Sequence, residues 1–334
     1  MTFAPRLLLG CDGANSLVRS SLAAWGEPSS RAFTPVRLPS PSAELQYKML
    51  LVPPSFVLKN LSAPTASDVW TESRAAYTIP SRPASSTRRL RLGLLPCRDQ
   101  SLPRTANIIK PASHDIWKCS SGEELLAYLN HSFPQIADIS SFVTPDEADA
   151  FVAGAPGRFP RPQFVPQLSA QSGGTAVALL GDAAHAFPPD MGQGVNSALE
   201  DVHALVRALG SSGALQEAPA AAWADALERY NEQRAPAAEA IARIMQVGFP
   251  YQYDQSFWRA KLFLLGFGAR LLLSKAAKPI PLVRHLFAQP VAFSVLEGRE
   301  YAVVWHEAQR TTRILQCIGL ALVAAVLRLL RATF

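Results

Sequence analysis

One stretch constrains this chain more than any other: residues 177–201, VALLGDAAHAFPPDMGQGVNSALED. Its apolar opening, ended by Gly181 and Asp182, has the composition of a short strand buried on both faces. Pro188 and Pro189 rule out a helix through the segment that follows. Gly192 and Gly194 let the backbone turn sharply and come close to a ligand. From Gly194 the pattern becomes helical. The first N–H groups of such a helix, and the positive end of its dipole, favour an anionic ligand atom. Strand, tight glycine turn and helix N-terminus together predict a place where a ligand carrying a negatively charged atom can approach the backbone.

A second segment has the same outline. Residues 8–19, LLGCDGANSLVR, read as a strand, an Asp-Gly turn and a helix with Ser16 as its cap. Asp12 precedes Asp182 by 170 residues. In order and spacing the two segments resemble the Asp-Gly and Gly-Asp motifs of the class A flavoprotein aromatic hydroxylases. The resemblance implies that Asp182 binds the ribityl chain of FAD and that Gly192, Gln193, Gly194, Val195 and Asn196 line the flavin, with Gly181 and Pro189 completing that loop. It implies that Asp12, Gly13, Ser16 and Arg19 contact the pyrophosphates of FAD and of NADPH or NADH. No metal site is implied.

The motif with which such enzymes open, a G-x-G-x-x-G turn after a strand, does not occur in this sequence. The fold expected is therefore α/β: an FAD-binding Rossmann-like domain of the p-hydroxybenzoate hydroxylase type lacking its first βαβ unit, with a mixed β-sheet substrate domain and a helical C-terminal region. The chain reads as the N-terminally truncated part of such an enzyme. The strands near Leu7 and Val177 are then expected to expose edges, and FAD binding by the chain alone is expected to be weak.

The 334 residues, 49% hydrophobic and 17% charged, are ample for two packed domains. Cys11, Cys97, Cys119 and Cys317 are far apart in sequence, as reduced thiols of an intracellular protein would be. His185 lies within the flavin loop and reads as either a catalytic group or a histidine that shapes the loop through a backbone hydrogen bond. From residue 251 onward there are 11 Lys and Arg against 4 Asp and Glu, so the net charge of +6 comes entirely from the C-terminal quarter. Basic residues mixed with apolar runs fit a membrane surface, and the chain shows no nucleic-acid motif.

Four regions follow. Residues 1–30 carry the Asp-Gly part of the FAD domain. Residues 31–165 form a β-rich substrate domain, with strands at 46–52 and 89–95, an exposed loop at 81–89 and a helix at 123–133 capped by Ser120 or Ser121. Residues 166–212 return to the FAD domain, and their helix ends near Gly210. Residues 213–334 are helical. In this last region 220–246 reads as a helix, with a break at Pro236 left open, and Tyr230 and Arg234 resemble a Tyr-x-x-x-Arg signature of these hydroxylases. Arg234 is read there either as an anchor onto the FAD domain or as a solvated helix-face residue. The layout of 257–327 is similar to the kynurenine 3-monooxygenase-like branch, where a hydrophobic tail engages a membrane. Residues 314–330 fit a membrane anchor, an interfacial helix or a core helix.

The resemblance implies an FAD-dependent monooxygenase that uses NADPH or NADH and O₂ to hydroxylate an aromatic or other electron-rich small molecule. The substrate pocket is expected between the sheet at 40–100 and the C-terminal helices. No general base stands out. A catalytically inactive fragment, retained as a membrane-associated or partner-binding module, is the alternative reading. Location is expected to be intracellular, on an organelle membrane if the tail anchors.

Overall fold

The computed structural model describes residues 5–61, 67–82, 89–172, 174–214, 220–253 and 255–333. Along the first half of the chain run β1 (Leu7–Gly10), α1 (Leu17–Ala23), α2 (Ser29–Phe33), β2 (Val36–Arg37), β3 (Gln46–Val52), β4 (Val57–Leu58), β5 (Val69–Trp70), β6 (Tyr77–Pro80), β7 (Arg91–Leu94) and β8 (Arg104–Lys110). There follow α3 (Gly122–Ser132), α4 (Ile139–Phe142), α5 (Pro145–Ala153), β9 (Gly157–Arg158), β10 (Gln163–Phe164), β11 (Ser169–Ser172), β12 (Thr175–Leu179) and β13 (His185–Ala186). The rest is helical: α6 (Gly194–Ser211), α7 (Ala220–Ile244), α8 (Phe257–Ala277), α9 (Val291–Leu296) and α10 (Tyr301–Thr333).

The chain divides into two compact units. One comprises residues 1–43, 160–252 and 256–334, and the other residues 44–159 with 253–255. The expected β-rich region, 31–165, is thus wider at both ends than the second unit. Residues 31–43 go with the first unit because β2 pairs with β10, which pairs in turn with β13. The expected C-terminal region belongs to that same unit.

In the first unit β1 lies parallel to β12, with Leu7 opposite Ala176 and Gly10 opposite Leu179, and β11 lies antiparallel on the other side of β12. Ala176, Val177, Ala178 and Leu179 are all buried, which explains the unbroken apolar run. Helices α6 and α7 pack on each other, and α7 contacts β11 and β12. Among the described residues β1 has a strand partner on one side only, and its Leu8 and Leu9 are exposed. The expected edge at Leu7 is therefore present, whereas Val177 is covered on both sides. Val195, Leu199, Val202 and Val206, spaced along one face of α6, are exposed as well.

The second unit is built on an antiparallel sheet in the order β6-β7-β8-β3-β9. Alternation sets its faces. Leu50, Val52, Leu92, Leu94, Ala106 and Ile108 are buried, while Met49 and Leu51 point to solvent. Helix α3 begins with paired caps around Ser121. The Ser121 hydroxyl accepts from the Glu124 N–H, and the Glu124 carboxylate accepts from the Ser120 N–H and hydroxyl. Of the loop expected at 81–89, residues 83–88 lie outside the described residues.

One helix resolves a point left open, and another ends later than expected. Helix α7 continues through Pro236 without a break, because buried Tyr230, Ala237, Ala238 and Ile241 hold it on both sides of the proline. Helix α6 runs to Ser211, past Gly210, and the left-handed turn after it falls at Gly213.

Candidate flavin site

The parallel pairing of β1 and β12 brings the two motifs together. Asp12 and Asp182 each lie just past the C-terminal end of one of these adjacent strands, where ligands of open α/β sheets bind. The guanidinium of Arg19 ties them. It is buried and donates to the carbonyl oxygens of Ala14 and Ala183, both at 2.7 Å. Arg19 therefore holds the turn after β1 against the turn after β12.

Asp12 and Ser16 serve the first turn of α1. The Asp12 carboxylate accepts from the N–H of Leu17 at 2.6 Å and of Val18 at 3.1 Å, and the Ser16 hydroxyl accepts from the N–H of Arg19 at 3.0 Å. Burial pushes the Asp12 carboxyl up, but its hydrogen bonds with Ser16, Val18 and Leu17 prevail and hold it below the ordinary carboxylate range. Gly13 adopts the left-handed backbone, with φ of 81°.

Helix α6 is different. Gln193, at its cap position, makes no side-chain cap bond, and the first turn carries no acidic residue. An 18-residue helix therefore presents an uncapped, positively polarised end. In front of it the chain turns at Gly192, whose φ is 64°. A Cβ built on Gly192 or Gly194 meets nothing within 4 Å, so there is open space against this backbone. Asp182 is exposed beside Gly181, and burial of its surroundings raises its carboxyl, offset in part by the charge of His185. Pro189, Gly192, Val195 and Asn196 are exposed as well. A backbone cradle free of side chains, an uncapped helix end and a carboxylate able to accept hydroxyl protons are the donor and acceptor set that the flavin, pyrophosphate and ribityl parts of FAD require.

Gln193 faces the other way. It is buried, and its Oε1 accepts from the Tyr301 hydroxyl at 3.0 Å and from Asn196 Nδ2 at 3.3 Å, while its Nε2 donates to the Met191 carbonyl. Gln193 thus pins the glycine turn to the start of α10. Burial, with the Glu200 carboxylate adding to it, pushes the Tyr301 hydroxyl up to about 12, so it remains a donor throughout the neutral range.

Behind the loop lies a buried charge cluster centred on Asp201, to which the residue patterns assigned no role. Its Oδ2 accepts from the Gly181 N–H at 2.9 Å and lies 2.7 Å from His185 Nε2, and its Oδ1 accepts from Arg234 Nε at 2.8 Å. Arg234 also donates to Glu200 at 2.8 Å and to the Ser197 carbonyl. Arg234 is the anchor of α7 onto α6, and the solvated reading is excluded by its burial. His185 is a loop-shaping residue whose partner is a carboxylate rather than the expected backbone group. The available signal was an acidic residue at a core position: Ser197, Asp201, Ala204, Leu205 and Ala208 form the buried face of α6.

Tyr230 completes the support. Its buried hydroxyl donates to the Leu179 carbonyl at 2.7 Å, one residue before the end of the apolar run. Tyr230→Phe leaves that carbonyl without its partner and is expected to cost about 1–3 kcal/mol. Urea unfolding at neutral pH measures this directly.

Residues 169–244 match a family model described as an FAD binding domain. Over these residues the chain is similar to the FAD-binding domains that this model describes. A kynurenine 3-monooxygenase of Aspergillus clavatus is 31% identical over 152 residues, which are 44% of this chain and 28% of the relative. The kynurenine 3-monooxygenase of Emericella nidulans is 26% identical over 243 residues, 70% of this chain and 41% of the relative. The chain spans well under half the length of these curated relatives. Among solved structures, a probable FAD-dependent monooxygenase from Pseudomonas aeruginosa aligns with TM-score 0.45 and 24% identity, over 78% of this chain and 59% of that one.

Proposed function

We propose that this chain carries the flavin-holding part of an FAD-dependent monooxygenase that hydroxylates an aromatic or other electron-rich small molecule with O₂ and NADPH or NADH. The observation that carries the reading is the meeting of Asp12 and Asp182 at adjacent parallel strand ends, beside the uncapped N-terminus of α6. The names of the relatives at 26–31% identity support the same class of reaction.

In this reading Asp182 accepts from the ribityl hydroxyls, and Gly192, Gly194, Val195 and Asn196 line the flavin. Asp12, Gly13, Ser16 and Arg19 shape the neighbouring turn on the pyrophosphate side. FAD held by these residues would supply the chemistry, hydride acceptance from the nicotinamide and O₂ activation. The protein's own contribution is electrostatic and steric. The N-terminus of α6 stabilises negative charge on the flavin by about 0.3–1 kcal/mol where exposed and up to ~2 kcal/mol where partly buried. Gln193 and Tyr301 hold the glycine turn at a fixed height, and the Asp201 cluster holds Gly181 in place beneath Asp182.

We place the protein inside the cell at a membrane surface. Helix α10 is the support. Tyr301, Val304, Ala308 and Thr311 are buried, whereas Leu320, Leu322, Val323, Val326 and Leu327 are exposed along an apolar segment of mean hydropathy 2.0.

The test is oxygen uptake by the flavin-loaded chain with NADPH or NADH and a panel of aminophenyl and phenolic acids. Nicotinamide oxidation that one panel member accelerates, with an added hydroxyl in its product, is the expected result. A flavin-loaded chain that oxidises neither nicotinamide contradicts the proposal.

A further inference from the structure

Helices α8 and α10 line, with Val247, Gly248 and Pro290, a partly open cavity of about 520 Å³ that the flavin reading does not use. That volume is within the range of small-molecule sites. Its walls are mainly apolar and include three aromatic side chains. Phe263, Phe267 and Trp305 line it, and Phe267 is braced by Phe249 at 5.5 Å and Phe293 at 5.4 Å between ring centroids.

The polar lining has one sign. Arg270 and Arg313 line the cavity with Gln309, Thr312 and Gln316, and no carboxylate does. Arg270 is half-buried and donates to the Thr312 hydroxyl oxygen at 2.8 Å, and Thr312 donates onward to the Ala308 carbonyl at 2.7 Å. Thr312 is thereby turned to orient the guanidinium, and among the described residues no acidic group pairs with Arg270. Burial alone depresses its pKa, with no nearby carboxylate opposing the shift. A cation held in an apolar cavity without a counter-charge is costly, and a bound anion removes that cost. A guanidinium offers a carboxylate two parallel N–H donors.

We propose that this cavity is a binding site for an organic carboxylate with an apolar body, its carboxylate on Arg270 and its body against Phe263, Phe267 and Trp305. The shared chemistry fits two sources, a soluble aromatic acid and a fatty acid delivered from a membrane. The geometry of the cavity is independent of the flavin, and the site is tested without it.

Calorimetric titration of the purified full chain with 2-naphthoate and with decanoate separates the sources, and 2-naphthamide serves as the neutral control. At least one acid is expected to bind. The amide should bind about tenfold more weakly than 2-naphthoate if that is the acid bound, and Arg270→Gln should weaken the bound acid by about tenfold. Gly266→Leu places a side chain into the cavity from a helical position where a Cβ meets nothing within 4 Å, and should abolish binding while leaving the circular dichroism unchanged. Binding of neither acid, equal binding of acid and amide, or undiminished binding by folded Arg270→Gln or Gly266→Leu overturns the proposal. None of these outcomes bears on flavin binding.

Discussion

Asp201→Asn is expected to lower the stability of the flavin-holding unit by about 3–5 kcal/mol. The substitution is nearly isosteric, so the loss comes from charge. Asp201 is fully buried, and it is the carboxylate that meets both His185 and the Nε of Arg234. Without it, the Arg234 guanidinium stays buried with only Glu200, whose side chain is half exposed, as its ion-pair partner. The Gly181 N–H also loses a charged acceptor. Burial pushes the Asp201 carboxyl up, but the hydrogen bond and charge of His185, the charge of Arg234 and the Gly181 N–H outweigh burial and hold it down. A carboxyl lowered in the folded state contributes its stability above its unfolded pKa of about 3.9, and that contribution is lost as pH falls through the folded value. Wild type should therefore lose stability below about pH 4, and the Asn variant should show a flatter acid limb. Urea unfolding at pH 7 and at stepped acid pH reads both effects. A loss under 1 kcal/mol at neutral pH would show that the cluster is not the keystone described here.

The second large effect concerns the tail. Ending the chain after Arg313 is expected to lower partitioning onto phospholipid vesicles by more than about 100-fold, or ~2.7 kcal/mol. Leu320, Leu322 and Leu330, with Val323, Val326 and Leu327, are exposed, and burying each such side chain in lipid contributes about 1.5–3 kcal/mol before ordering costs. The shortened chain keeps Tyr301, Val304, Ala308 and Thr311, the residues through which α10 packs, so its fold should survive. Exposed apolar residues of α8, such as Trp258, Leu262 and Leu265, remain and should leave weak residual binding. Vesicle co-sedimentation of the two chains measures the ratio. Equal sedimentation would shift the membrane reading from α10 to α8.

Much of the site was legible because its chemistry is local in sequence. The run ending at Gly181 and Asp182 needs a buried strand, the prolines need a loop, and the turn at Gly192 needs a residue that tolerates positive φ. Strand β3 was readable for a similar reason, since its ends coincide with the alternating segment. What escaped was non-local. An aspartate on the buried face of α6 signals a need for a partner, but only α7 shows which one, bringing Arg234 to it across 33 positions of chain. The grip of Tyr301 on Gln193 spans 108 positions, and no spacing rule announces it. Pro236 left the continuity of a helix open. It removes one helical hydrogen bond, but the apolar residues around it are buried deeply enough to keep α7 whole. The charge cluster and the Gln193 bond do not touch the cofactor space themselves; they set the position of the backbone that does.

The most direct test of the flavin site is a titration of the full chain with FAD, followed by the visible difference spectrum, for wild type and Asp182→Ala side by side. Wild type is expected to show a saturable spectral change, and the variant affinity at least about tenfold weaker, one charge-assisted hydrogen bond being worth that much. A folded wild-type chain that leaves the FAD spectrum unchanged, or an Asp182→Ala chain that binds as tightly as wild type, would contradict the proposed flavin site.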